Sequence, residues 1–241
     1  MSSGAEAIAP RLAALRERIA RAAQRAGRRA DEIALVGVSK RKPAALVAAA
    51  VRAGLRHVGE NYVQESISKI PKILEELSGL ELEPPRWHFI GQLQRNKAKP
   101  VAAHFDLVET VDRAALGAEL DRRAAEAGRS LEVLLQVNLS GEPQKGGVDP
   151  EALPALLAAS RAWSQLRAIG LMTVPAAASD PEASRPAFAR LRALRDALRD
   201  AEGGQALREL SMGMSADFEV AIEEGATIIR VGTALFGARA P

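Results

Sequence analysis

Short apolar runs recur along this chain at Ile33–Val38, His57–Gly59, Trp87–Gly91, Leu107–Val111, Leu131–Asn138, Ile169–Thr173, Glu209–Gly213 and Ile228–Gly232. Each has the length of a strand, and the segments between them read as helices. Asp149-Pro150-Glu151 and Asp180-Pro181-Glu182 are helix starts, with an aspartate to cap free N–H groups and a proline at the first helical position. Leu116 and Leu120, and Val47 and Val51, have the i,i+4 spacing of one buried face. Eight such units in 241 residues match an α/β fold, a single (β/α)8 TIM-type barrel. An open doubly wound sheet is the rival; the lack of a Gly-x-Gly-x-x-Gly turn after the first strand weakens a dinucleotide-binding reading without excluding that sheet.

The segments Leu82–Pro85 and Pro175–Pro181 are short loops, and no long linker interrupts the pattern, so residues 1–241 read as one domain. An extra N-terminal helix is expected over residues 5–29. Its Ala and Arg content could suggest a transit peptide, but Glu6, Glu17 and the spacing of Leu12, Leu15 and Ile19 fit an amphipathic helix better.

Composition narrows the function classes. With no cysteine, disulfides, thiolate metal sites and thiol nucleophiles are excluded together. No apolar stretch reaches the roughly 18 residues that span a bilayer, and no signal peptide is evident, so a soluble, cytoplasmic protein without membrane partners is expected. The sequence pI is near 9.5, but net charge is only +3 and the acids are interspersed with the bases. With 3% aromatic residues there is little to stack on bases, and nucleic acid is not an expected partner.

In a barrel, the residues that follow each strand face one mouth. That register gathers Lys40, Glu60-Asn61-Tyr62, Gly91–Gln94, Ser140–Gly147, Met172-Thr173, Ser211–Ser215 and Arg230–Thr233. Lys40 stands out because only seven of the 33 basic residues are lysine. A guanidinium stays protonated, whereas a desolvated amine can lose its proton and condense with an aldehyde. Across the mouth, Ser211-Met-Gly-Met214-Ser215 and Gly232-Thr233 suit a phosphate, through hydroxyls, close backbone approach and a helix start. An amine facing a phosphate suggests a phosphorylated aldehyde, of which pyridoxal 5'-phosphate (PLP) is the prominent case. Arg230, two residues before Gly232 and on the same strand face, could reach the pyridine nitrogen. His57, His88 and His104 lack metal spacing and read as packed or exposed residues; Glu60 and Glu65 read as structural. No metal site is expected.

The stretches Leu35–Lys40, Gly59–Glu65, Trp87–Lys97, Gln136–Gly146, Gly170–Thr173, Leu210–Ser215 and Arg230–Gly237 together resemble the pyridoxal phosphate homeostasis protein family, related to the barrel domain of bacterial alanine racemase. The resemblance covers nearly the whole chain. It implies a fold type III PLP-binding barrel with PLP as an aldimine on Lys40, Asn61 near the ring and Arg230 near the pyridine nitrogen. Met214, Ser215, Gly232 and Thr233 would surround the phosphate. Lys145 matches a family lysine, while Ala216 stands where the family is usually acidic, ahead of Asp217.

The racemase relatives use a catalytic tyrosine from a second domain, across a dimer. Here Tyr62 is the sole tyrosine and the barrel consumes the length. An arginine beside the pyridine nitrogen would also weaken the cofactor as an electron sink. The expectation is therefore a monomeric, non-catalytic protein that holds PLP, supplies it to PLP-dependent apo-enzymes and serves vitamin B6 homeostasis. A weak or specialised amino-acid racemase is the alternative, and a basic interaction module the third reading.

Overall fold

The computed structural model describes residues 3–142, 145–176, 178–200 and 204–237. The first two and last four residues of the expected domain, and Pro143 and Gln144 within the loop bearing Lys145, lie outside that set. Eight strands, β1 (Ala34–Val38), β2 (His57–Glu60), β3 (Arg86–Phe89), β4 (Leu107–Val111), β5 (Leu131–Gln136), β6 (Leu166–Met172), β7 (Glu209–Ser211) and β8 (Ile228–Val231), pair in sequence order. All pairs are parallel, and β8 returns to β1 with Val36 opposite Arg230, which closes the barrel. A closed ring has no edge strand, so no open sheet remains as a rival.

The core has two shells. The outer one lies between the sheet and the helices and holds Val58, Phe89, Val108, Phe105, Phe188 and Phe218 among others. The inner one is small: Val36, Leu107, Leu134, Met172 and Ile228 fill the barrel, with Ala34, Ile169 and Val174 against them. The helix Ile8–Arg25 buries Ile8, Leu12, Leu15, Ile19, Ala22 and Ala23 on one face. At the edge of that face Arg18 bonds Glu219 and lies over the Phe218 ring, 4.5 Å from its centroid.

Several local expectations differ from the structure: the N-terminal helix expected over residues 5–29 is Ile8–Arg25, preceded by a separate short helix, Ser3–Glu6. β6 starts at Leu166, three residues early, because Leu166-Arg167-Ala168 alternates in burial rather than running apolar. Asp180 accepts the Glu182 amide at 3.0 Å, but Asp149 makes no side-chain cap, and both introduce a 3-10 turn before the α-helix.

Candidate functional site

β1 ends at Val38, and the next three residues are clamped from below. Ser39 is fully buried; its amide donates to the Gly59 carbonyl at 2.9 Å and its hydroxyl to Glu60 Oε1 at 2.5 Å. From the helix Val63–Leu77, Lys69 donates to the Ser39 carbonyl at 2.8 Å and pairs with both Glu60 and Glu65 at 2.6 Å. Arg41 is the one non-glycine among the described residues with a left-handed backbone, φ 58°, and its amide donates to Glu65 Oε1 at 2.6 Å. Such a conformation costs an L-residue about 1–2 kcal/mol and persists where neighbours enforce it. Both neighbours of Lys40 are thus fixed, while its half-buried side chain makes no hydrogen bond or ion pair to a described residue.

Glu60 and Glu65, read from sequence as structural, are parts of this clamp. Burial pushes the Glu60 carboxyl above its ordinary range, with the Lys69 charge and the Lys69 and Ser39 hydrogen bonds opposing. Glu60 Oε2 is buried without a partner, and so is Asn61 Oδ1. Asn61 is crowded from β3: a Cβ on Gly91 would lie 2.0 Å from the Asn61 carbonyl oxygen, so only glycine fits there.

Arg230 lies inside the barrel rather than on its rim, 4% exposed. It donates to the Ser211 hydroxyl and, at 2.8 Å, to the Thr173 carbonyl. Glu109 Oε2 accepts from Ser211 at 2.5 Å and stands 3.7 Å from the guanidinium. Behind it, His88 Nδ1 is 2.7 Å from Glu109 Oε1, and His88 Nε2 is 3.0 Å from His57 Nδ1. Burial alone would raise Glu109, but the His88 hydrogen bond and charge, with Arg230 and Ser211, win and hold it below the ordinary carboxylate range. Burial lowers Arg230, against the opposing charges of Glu109 and Asp217. This chain of five side chains crosses β2, β3, β4, β7 and β8, and the sequence reading treated its two histidines as unrelated. No local spacing signals it; alternation along β2, β3 and β4, placed in a closed barrel, would have.

Lys40, Asn61, Met214, Ser215, Gly232 and Thr233 all follow the C-terminal ends of their strands, hence lie at one end of the parallel barrel, with Arg230 inside β8 below them. A Cβ on Gly232 would be 3.5 Å from Val38 Cβ, so the β8 exit flanks the β1 exit. The expected helix start at Ser215 is absent: the helix is Phe218–Glu223, six residues, and Asp217 organises the turn before it. Asp217 Oδ1 accepts the Met214 amide at 2.7 Å and Oδ2 accepts from Ser184 at 2.9 Å. Met214 therefore offers an exposed side chain rather than a free N–H. Ala216 is exposed and Asp217 buried, so the acidic residue that remains is the one that ties the loop. The Ser215 and Thr233 hydroxyls bond no described residue. Lys145 pairs with Glu142 at 2.7 Å and donates to the Pro175 carbonyl at 3.1 Å, joining the loops after β5 and β6. Tyr62 is 45% exposed, beneath Arg41. No group of three or more metal-ligating side chains occurs among the described residues.

Four similarities to known proteins bear on this arrangement. A family model described as alanine racemase, N-terminal domain, matches residues 11–240. A curated relative from Pseudomonas aeruginosa, named pyridoxal phosphate homeostasis protein, is 48% identical over 232 residues and each chain is covered to 96%. PipY of Synechococcus elongatus, solved with PLP bound, superposes with a TM-score of 0.82 at 40% identity, covering 95% of this chain and all of that one. Alanine racemase from Corynebacterium glutamicum shares the fold at 18% identity, TM-score 0.65, with 94% of this chain matched to 62% of that one. By family model, identity and coverage, the chain belongs to the pyridoxal phosphate homeostasis protein family, built on the alanine racemase N-terminal barrel.

Proposed function

We propose that this protein holds PLP as a Schiff base on Lys40, within one barrel domain spanning residues 1–241, and serves PLP homeostasis without catalysing a reaction. The observation that carries the reading is the clamp around Lys40: Ser39, Glu60, Glu65 and Lys69 fix its backbone and leave its amine unengaged. Condensation of that amine with the aldehyde forms one C=N bond and releases one water. Three further groups suit this ligand, since Asn61 Oδ1 is a buried acceptor without a partner and the Ser215 and Thr233 hydroxyls are uncommitted. They would hold the ring and the phosphate, with Gly232 and the Met214 side chain beside them. When bound, PLP supplies an electrophilic carbon and, with a protonated pyridine, an electron sink. Arg230 is a permanent cation held inside the barrel beneath that site, and a like charge there disfavours pyridine protonation.

The relatives' printed names support the assignment, for the Pseudomonas protein is named for PLP homeostasis and PipY was solved with PLP. No helix among the described residues is long and apolar enough to cross a membrane. We place the protein in the cytoplasm as a monomer whose partners, beyond PLP, are PLP-dependent apo-enzymes that receive it. The test is solvent exchange. Protein loaded with PLP, incubated with amino acids in deuterium oxide, should show visible absorbance of the bound aldehyde and no deuterium at the α-carbon. Catalytic exchange would establish the racemase alternative instead.

A further inference from the structure

At the opposite end, where the strands begin, a cavity of about 820 Å³ opens between the barrel and the helix Ile8–Arg25. Leu12 and Ile19 of that helix and Leu107, Ile169 and Ile228 of the barrel interior give it an apolar wall. Its floor is charged. Arg86 and Arg167 both pair with Glu132, and Glu209 accepts from Thr227, so the floor carries as many carboxylates as guanidinium groups. Asp31 and Glu32 at the edge are matched by Arg29 and Arg28. Three further arginines at the cavity, Arg16, Arg56 and Arg208, pair with no described carboxylate and leave a positive surplus.

His57 lines this cavity, and its Nε2 bonds no described residue. The buried chain behind it sets what Nε2 presents. Glu109, held ionised, accepts from His88 Nδ1–H. With no further proton, His57 Nδ1–H must donate to His88 Nε2, and His57 Nε2 shows the cavity a lone pair. One added proton on the histidine pair, wherever its charge rests, turns Nε2 into an N–H donor. Burial, then the neighbouring His88 and Arg86 charges, push His57 down to about 4, and for the neutral pair the hydrogen-bond chain from Glu109 gives the lone-pair form at Nε2. A negative charge placed beside Nε2 favours the protonated form.

We propose that this cavity is a second binding site, for a small organic carboxylate with an apolar body, whose binding is coupled to uptake of one proton by the His57–His88 pair. The apolar part lies against Leu107, Ile169 and Ile228; the carboxylate accepts from His57 Nε2–H, and the unpaired arginines draw it in. Because the complex binds one proton more than the neutral pair, affinity falls as pH rises, by up to about tenfold per pH unit until the complex itself deprotonates.

Titration calorimetry with sodium benzoate on the full chain tests this, since two buffers of different ionisation heat report proton uptake directly. Wild-type protein and Lys40→Ala should bind benzoate alike, with proton uptake that His57→Gln abolishes. Arg56→Gln with Arg208→Gln, at two exposed positions, should weaken binding about fivefold, as expected for two rim charges. No saturable binding, binding without proton uptake, or binding lost in Lys40→Ala would each overturn the proposal. Failure of the wild-type protein to bind PLP would sink the proposed function and leave this cavity's assignment intact.

Discussion

Replacing Lys69 by Met tests the clamp that positions Lys40. Lys69 is 6% exposed and is the cation between Glu60 and Glu65. A methionine of similar length keeps the packing and removes the charge, which leaves Glu60 fully buried with only the Ser39 hydroxyl on its ionised oxygen. Glu60 escapes by taking a proton. Relative to its ordinary value of 4.5, that escape costs at most about 3 kcal/mol at pH 7, at about 1.4 kcal/mol per pH unit. Loss of the hydrogen bond to the Ser39 carbonyl adds about 1–2 kcal/mol. Together these set a ceiling of about 4–5 kcal/mol, and because Glu60 is already raised in the wild-type protein the deficit against it lies below that ceiling, at the scale of breaking a buried pair.

The sign with pH is fixed. Glu60 is already raised in the folded wild-type protein, so its contribution to stability falls as pH rises from 4.5 through the folded value. In Lys69→Met that window extends upward, so the deficit against wild type must grow between pH 4.5 and pH 7. Urea unfolding of both proteins at the two pH values measures it. A deficit under about 1 kcal/mol at pH 7, below the range for a broken buried pair, or one independent of pH, would refute the argument.

Gly91→Ala should destabilise by about 1–3 kcal/mol, because its Cβ would meet the Asn61 carbonyl oxygen at 2.0 Å; thermal unfolding reads the loss. Glu109→Gln should cost about 3 kcal/mol, as for a buried pair broken on one side. Because Glu109 is lowered in the folded state, its contribution is present above the ordinary 4.5 and lost as pH falls through the folded value. Denaturant melts of the Gln variant should therefore lack that acid-side decline. Arg41→Gly should stabilise by about 1 kcal/mol, since glycine adopts φ 58° without the steric cost; an unchanged or lower urea midpoint would show that the arginine side chain matters more than the backbone.

The strands were legible because most are buried on both faces, so they read as apolar runs whichever way their side chains point. The mouth residues followed from counting those runs, since parallel strands put every exit at one end. What stayed hidden is the polar interior. His57, His88, Glu109, Ser211 and Arg230 meet only because the barrel closes, with Ser211 bonding Glu109 across 102 residues of sequence. The clamp is an intermediate case. Glu65 and Lys69 have plain i,i+4 helix spacing, yet nothing local reveals that Lys69 also reaches Ser39 and Glu60 on two other elements. The turn before Phe218 was hidden for a related reason, because Asp217 accepts the Met214 amide by reaching back three residues and so delays the helix to Phe218.

Borohydride reduction of PLP-loaded protein, followed by peptide mass analysis, tests the central claim most directly. The account predicts one pyridoxyl-phosphate adduct per chain, on Lys40, and none on the reduced Lys40→Ala protein at matched PLP. An adduct on Lys145, Lys69 or another lysine in place of Lys40, or no adduct at all, would contradict it.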